Sequence, residues 1–188
     1  MESDLSGHEV LVGVAGGIAA YKVCEVVSRL VQRGAGVTVA MTRAARRFVG
    51  PVTFQALSGR KVLTSLWDAE AKDIQHIDAS LSASAMLIAP ATADIIARIA
   101  TGMADDIVTS LVLTCRAPIL VAPAMNSRMW ENVAVQRNVN MLRERGFLIV
   151  GPGSGWMACR EVGEGRMAES SEIVERLGSI LRPGPRSA

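Results

Sequence analysis

A three-layer α/β domain built on a doubly wound parallel sheet is what this sequence predicts, and three observations carry the prediction. Short runs of Val, Ile, Leu, Ala and Met recur along the 188 residues, each too short for a helix and bounded by Gly, Pro or Thr. Stretches with helical apolar spacing separate them. The composition is 49% hydrophobic but only 4% aromatic, so the core is aliphatic, as strands buried on both faces require.

The first run covers 10–15 and leads into Gly16-Gly17. Val23, Val26, Val27, Leu30 and Val31 then recur on one face of a helix that Gly34 stops. A second strand at 37–41 completes a βαβ unit of the usual ~30 residues. One helical segment spans about 43–57. A third strand, 85–89, runs into Pro90. Helices over 94–100 and 105–114 lead to a fourth strand, 119–122, opened by Pro118. Residues 130–145 read as one helix closed by Gly146, and 147–150 as the fifth strand. The stretch 151–165 holds five glycines and one proline and reads as a mobile loop. Ser170 or Ser171 caps a last helix to about 181. Residues 1–181 make one domain in this reading, with 182–188 a disordered tail containing two prolines. The alternation of strands and helices gives a single-domain, flavodoxin/Rossmann-like sheet, whose ligand crevice lies at the carboxyl ends of its strands. Four loops meet there: Gly16-Gly17, Thr42, 90–94 and 123–126.

Composition narrows the function. The formal net charge is +2, from 20 basic and 18 acidic residues. No long run of one sign occurs, so no nucleic acid partner is expected. Cys24, Cys115 and Cys159 are far apart and none forms Cys-x-x-Cys; this fits neither a disulfide framework nor a zinc site, and no metal is expected. The polar start Met1-Glu2-Ser3-Asp4 is no signal peptide, and no apolar run reaches spanning length. A cytoplasmic protein with no membrane partner is the expectation.

The loops carry the chemistry. Gly13, Gly16 and Gly17 do not make Gly-x-Gly-x-x-Gly, and Thr42-Arg43 stand where a dinucleotide site wants an acidic residue. A mononucleotide phosphate, held by N–H groups at a helix start and by hydroxyls, fits better than NAD. In Pro123-Ala124-Met125-Asn126-Ser127-Arg128-Met129-Trp130, Asn126 stands just past the fourth strand. It is a favoured helix N-cap as well as a site candidate, and Met125, Met129 and Trp130 fit core packing. Cys24 and Cys115 lie in apolar helices and read as small buried hydrophobes; Cys159 lies in the glycine-rich stretch. His8 sits in the polar N-terminal stretch. His76 sits in Asp73-Ile74-Gln75-His76-Ile77-Asp78, where a surface or capping role is the plain reading.

The Pro-Ala-Met-Asn-Ser-Arg-Met-Trp string resembles the signature of the flavin-dependent cysteine decarboxylases, and further motifs of that family recur in order from about Val10 to Glu169. Gly16-Gly17-Ile18 opens a stretch, through Lys22, that resembles the first flavin-phosphate loop. Thr42-Arg43-Ala44 with Phe48 resembles the second, and Pro90-Ala91-Thr92-Ala93-Asp94 the third. Ala158-Cys159-Arg160 and Gly163-Glu164-Gly165-Arg166-Met167 resemble the substrate flap. Two positions depart from the pattern: Asp94 replaces the commoner Asn, and Arg160 replaces a Gly. The resemblance implies FMN as cofactor, bound by these three loops with Ala124 and Met125. It implies Asn126, Met129, Arg160 and Arg166 at the substrate, and His76, Asn126 and Cys159 as catalytic residues. A carboxylate repels phosphate, so Asp94 is expected to face the flavin ring or to cap the next helix. A homotrimer or dodecamer with sites between subunits is also implied.

The activity implied is decarboxylation of the small-molecule substrate 4′-phosphopantothenoylcysteine to 4′-phosphopantetheine, in coenzyme A biosynthesis. An α-amido carboxylate has no electron sink; oxidising the neighbouring thiol-bearing carbon to a thioaldehyde supplies one, with FMN as hydride acceptor. His76 assists thiol deprotonation across about 2 pKa units, roughly 2.7 kcal/mol. Asn126 orients the carboxylate as a neutral donor, which stabilises the ground state less than a cation does. Cys159 gives the late proton. Two alternatives stand beside this. A peptidyl-cysteine oxidative decarboxylase of the lantibiotic type stops at the oxidised enethiol and needs no Cys159. A non-catalytic flavin-binding regulatory subunit tends to carry acidic extensions. In the family's bacterial fusions a ligase domain follows the decarboxylase.

Overall fold

The computed structural model describes residues 4–67, 75–156, 158 and 160–181. Five strands, β1 (Glu9–Val14), β2 (Gly36–Met41), β3 (Ala85–Ala91), β4 (Ile119–Pro123) and β5 (Leu148–Ile149), form one parallel sheet in the order β2-β1-β3-β4-β5. The helices are α1 (Ala20–Gln32), α2 (Pro51–Ser58), α3 (Gln75–Ser82), α4 (Ala93–Ala100), α5 (Ile107–Thr114), α6 (Ser127–Trp130), α7 (Val133–Glu144) and α8 (Ser170–Leu181).

Alternation along the strands creates the three layers. Val10, Val12 and Val14 of β1, with Val37, Val39, Met41 and Leu87, pack in one core with α1, Phe54 of α2, and α8. Leu11, Met86, Ile88 and Val121 pack in the other, with α4, α5 and α7. Successive side chains on a strand point to opposite faces, so a sheet covered on both sides must be apolar at every position. That is why the strands read as unbroken aliphatic runs. Val23, Val26, Val27 and Leu30 of α1 are fully buried, each stabilising the fold by about 1.5–3 kcal/mol.

The structure corrects four boundaries. The helical segment expected over 43–57 breaks into a 3₁₀ turn at Ala45–Arg47 and α2. Gly50 is extended before Pro51 (ψ 145), and Pro51 sits in the first turn of α2, where its missing N–H costs nothing. The helix expected over 130–145 starts earlier and divides into α6 and α7 at Asn132, whose side chain accepts from the Ala134 N–H at 2.9 Å. β3 continues past Pro90, with a register shift between Ile88 and Ala91, because Pro90 has no N–H for the ladder. The largest correction concerns 151–165. It is not a loop: β6 (Gly153–Trp156) and β7 (Val162–Arg166) form an antiparallel ribbon. Its glycines serve irregular backbone, with Gly155 at φ +155 and Gly165 at φ +139.

α3 was not expected from the sequence. The tail expected at 182–188 lies outside the described residues. Among the described residues no helix is long and apolar enough to cross a membrane.

Candidate functional site

With β1 flanked by β2 on one side and β3 on the other, connections leave the carboxyl ends of β1 and β3 in opposite directions, and a crevice opens between them. The cleft there measures about 1320 Å³. Glycine lets its walls meet. A Cβ on Gly16 would lie 2.3 Å from the Ala44 Cβ and 2.9 Å from the Ala44 carbonyl carbon. On Gly17 it would lie 3.2 Å from the Thr92 Cγ2. The loop after β1 therefore touches the loops after β2 and β3 backbone to side chain.

Each loop is tied down. The Thr42 N–H donates to the Val14 carbonyl at 3.0 Å, and the Thr42 Oγ1 accepts from the Ala45 N–H at 3.1 Å. The Ala124 N–H donates to the Ala91 carbonyl at 3.0 Å. α1 begins without a side-chain cap; the Ala20 and Lys22 N–H groups of its first turn donate to the Gly17 and Ala19 carbonyls at 2.9 and 3.0 Å. At α4 the Thr92 Oγ1 accepts from the Ile95 N–H at 3.3 Å, leaving the first two helical N–H groups, those of Ala93 and Asp94, open. The open helix start of α4, a threonine hydroxyl and glycine-crowded backbone make a site for an anionic group.

The cleft is electrically two-sided. Arg43 and Arg47 line it, and so does Lys22, whose buried Nζ has no hydrogen-bond partner among the described residues and stands 3.8 Å from Glu169. On the other wall Arg98 is shared by three carboxylates: Asp106 at 2.7 Å, Asp94 at 3.7 Å and Asp105. The hydrogen bond from Arg98 holds the Asp105 carboxyl below the usual carboxylate range. Asp94 does not cap α4; Thr92 does. Asp94 lines the cleft from the first turn, where the helix dipole favours its charge.

Asn126 caps a helix and also borders the cleft. Its Oδ1 accepts from the Met129 N–H at 3.1 Å, capping α6. Because an acceptor must face that N–H, the remaining amide group is NH₂, and Asn126 also lines the cleft. Met125 and Met129 line it too, whereas Trp130 is buried in the second core. The ribbon β6–β7 borders the same space through Trp156, Gly165 and Arg166. The Arg166 guanidinium pairs with Glu169 at 2.6 Å.

Of the candidate residues, Gly16, Gly17, Ile18, Thr42, Arg43, Ala44, Thr92, Ala93, Asp94, Ala124, Met125, Asn126, Met129 and Arg166 all line this cleft. Phe48 does not; it is half-exposed and directly follows the 3₁₀ turn. Arg160 is exposed and outside the lining, with φ +65, a left-handed backbone that glycine adopts freely. His76 belongs to α3 and its side chain lies outside the described residues, as does Cys159. Reasoning from sequence missed Arg47, Arg98, Asp105 and Asp106. The Asp94–Arg98 spacing of four was a usable signal; Asp105 and Asp106 gave none.

A switch-point crevice with glycine-crowded anion loops defines a mononucleotide-binding protein of the doubly wound α/β class. The chain belongs to the Flavoprotein family, whose model matches residues 1–181. It is 48% identical over 180 residues to the coenzyme A biosynthesis bifunctional protein CoaBC of Vibrio cholerae, covering 95% of this chain and 45% of that one. It thus spans less than half the length of the curated relatives it matches. Among solved structures it is similar to the FMN-dependent cysteine decarboxylase SpaF, with a TM-score of 0.82 and 32% identity over 94% of this chain and 97% of that one. It is also similar to a cysteine-to-serine mutant of PPC decarboxylase complexed with pantothenoylaminoethenethiol, with a TM-score of 0.80 and 27% identity over 90% and 96% of the two chains.

Proposed function

We propose that this chain is a phosphopantothenoylcysteine decarboxylase, a carbon–carbon lyase that converts 4′-phosphopantothenoylcysteine to 4′-phosphopantetheine and carbon dioxide with FMN as cofactor, in coenzyme A biosynthesis. The observation that carries the reading is Asn126. Its NH₂ group is left over by the α6 cap, and the residue borders a cleft also lined by Ala93 and Asp94, whose N–H groups are open at the start of α4. The relatives support it. The chain matches 45% of the bifunctional CoaBC protein but 96% of a PPC decarboxylase, so the shared part has the extent of the decarboxylase.

The residues fit a mononucleotide. Gly16, Gly17 and Ile18, with Thr42–Ala44 and Thr92–Ala93, would hold the phosphate end, and Ala124 and Met125 would wall the ring; Asp94 is balanced by Arg98. Bound FMN supplies the acceptor and later the donor of the hydride. Asn126 orients the carboxylate that leaves as carbon dioxide. His76 takes the thiol proton, Cys159 returns a proton late, and Met129 and Arg166 border the substrate; Arg160, outside the cleft lining, is kept as a substrate contact on the family resemblance alone. The ribbon, which borders the cleft through Trp156, Gly165 and Arg166, excludes water during the reaction. Exposed Ile18, Tyr21, Met129 and Trp156 around the cleft support assembly as a homotrimer or dodecamer with sites between subunits, which sedimentation analysis measures. A cytoplasmic location goes with this role.

The test is turnover of 4′-phosphopantothenoylcysteine by the purified protein alongside its visible spectrum. A yellow protein that releases 4′-phosphopantetheine and carbon dioxide supports the reading. A yellow protein that stalls at an oxidised enethiol moves it to the peptidyl-cysteine branch. A colourless protein that FMN does not reconstitute refutes it.

A further inference from the structure

One contact ties the ribbon to the loop that carries Asn126. The Met125 N–H donates to the Gly165 carbonyl at 2.9 Å. Gly165 is buried, lines the cleft, and has φ +139, where L side chains are rare. A Cβ built on it would lie 2.4 Å from the Met125 carbonyl oxygen and 3.3 Å from the Asn126 carbonyl carbon. The obstacle is backbone, which cannot rotate aside. Ordinary contact begins at 3.4 Å, so any side chain at position 165 must drive the 125–126 backbone and β7 apart by about 1 Å. Asn126 shifts with that backbone while its own side chain is pinned to the start of α6. A displacement of 125–126 therefore re-aims its NH₂ group instead of being absorbed by rotation of the side chain.

We infer that Gly165 is a positioning residue: it clamps the Met125–Asn126 backbone against β7 and so fixes where the Asn126 amide meets the substrate carboxylate. This inference rests on the decarboxylase reading. It assigns the ribbon a second task besides covering the substrate, namely setting the geometry of decarboxylation from beneath. Gly165 acts through the Met125–Asn126 backbone, and of these two residues Asn126 is the one placed at the substrate carboxylate, so its effect falls more heavily on the carbon dioxide-releasing step than on thiol oxidation.

The test is a double-mutant cycle of Gly165→Ala and Asn126→Ala on the FMN-loaded protein, read in single turnover with 4′-phosphopantothenoylcysteine. Bleaching of the flavin reports oxidation, and trapped carbon dioxide reports decarboxylation. Gly165→Ala is expected to slow carbon dioxide release by about 10²-fold, the loss that a 1 Å misplacement produces, and to slow bleaching of its bound FMN by clearly less. The double variant is expected to be no slower than Asn126→Ala. Losses that multiply, bleaching slowed as much as carbon dioxide release, or unchanged carbon dioxide release in folded Gly165→Ala would each overturn the inference. Should Gly165→Ala not fold, amide hydrogen exchange on the unaltered protein decides. The Met125 amide is expected to exchange at the rate of the β6–β7 ladder amides; exchange at an unprotected rate beside a protected ladder overturns the clamp. Exchange needs no turnover, so a protein inactive on this substrate removes the decarboxylase reading while the clamp is still measured.

Discussion

Asn126 is asked to do two things with one side chain, and substitution can separate them. The Oδ1 caps α6 through the Met129 N–H at 3.1 Å; in the function proposed above the NH₂ group serves the substrate. Removing a cap costs about 1 kcal/mol, which for a domain of this length lowers Tm by about 2–4 °C. Removing a hydrogen bond to a carboxylate costs about 1.5–3 kcal/mol, or roughly 10–150-fold in rate if it acts in the transition state. Asn126→Ala loses both. Asn126→Asp keeps the acceptor and therefore the cap, but places a second carboxylate where the substrate's must lie. The expectation is thus a crossed result: Asn126→Ala is slow and less stable, and Asn126→Asp is at least as slow but melts with the unaltered protein. Calorimetry gives the first quantity and mass-spectrometric quantitation of 4′-phosphopantetheine the second. An Asp variant that turns over normally removes the donor role, and an Ala variant with unchanged Tm removes the cap.

Three further outcomes follow from the geometry. Gly16→Ala must open the 2.3 Å approach to Ala44 by about 1 Å; it is expected to cost about 1–3 kcal/mol of stability and to weaken FMN binding tenfold or more through a lost charged hydrogen bond. Fluorescence titration of the apo protein measures this, and unchanged affinity in a folded variant shows that this loop holds no phosphate. Arg160→Gly relieves a left-handed backbone at φ +65 and is expected to raise stability by about 1 kcal/mol; a lowered Tm contradicts it. The hydrogen bonds from Arg60 at 2.5 and 3.1 Å hold the Glu9 carboxyl below its usual value. A carboxyl depressed by folding stabilises above its unfolded pKa, about 4.3, and that contribution fades as pH falls through the lower folded value. The advantage over Glu9→Gln is expected at about 0.2–1 kcal/mol at neutral pH, since the pair is partly exposed, and to vanish in acid; urea midpoints at both pH values check it.

The strands were legible because burial on both faces leaves a strand no polar position, and an aliphatic run between turn residues has few other uses. α1 was legible because its buried residues keep helical spacing. The ribbon was not. In Gly153-Ser154-Gly155-Trp156 half the residues are glycine, and glycine ordinarily weakens a strand. Here it is retained because β7 approaches the Met125 backbone closely and Gly155 lies against the Arg166 side chain. Those contacts join positions 40 residues and 11 residues apart, and no local pattern encodes them. The break at Asn132 was equally hidden: the apolar spacing runs on through it, and only the cap shows that the chain turns.

The site was legible where one residue type serves local structure and function together. Gly16, Thr42, Thr92 and Asn126 are turn-formers and caps before they are anything else, so the grammar of strand ends and helix starts finds them. It finds less where function depends on a meeting of distant elements. Asp105 and Asp106 follow α4, and their significance appears only when Arg98 brings them to the wall of the cleft opposite Arg43 and Arg47. The same logic applies to Asp94. As a letter in a motif it placed a carboxylate beside a phosphate loop. In the fold its charge is answered by Arg98 at 3.7 Å and by the first turn of α4, so a negative side chain is held at the cleft without closing it to an anion bound at the adjoining loops.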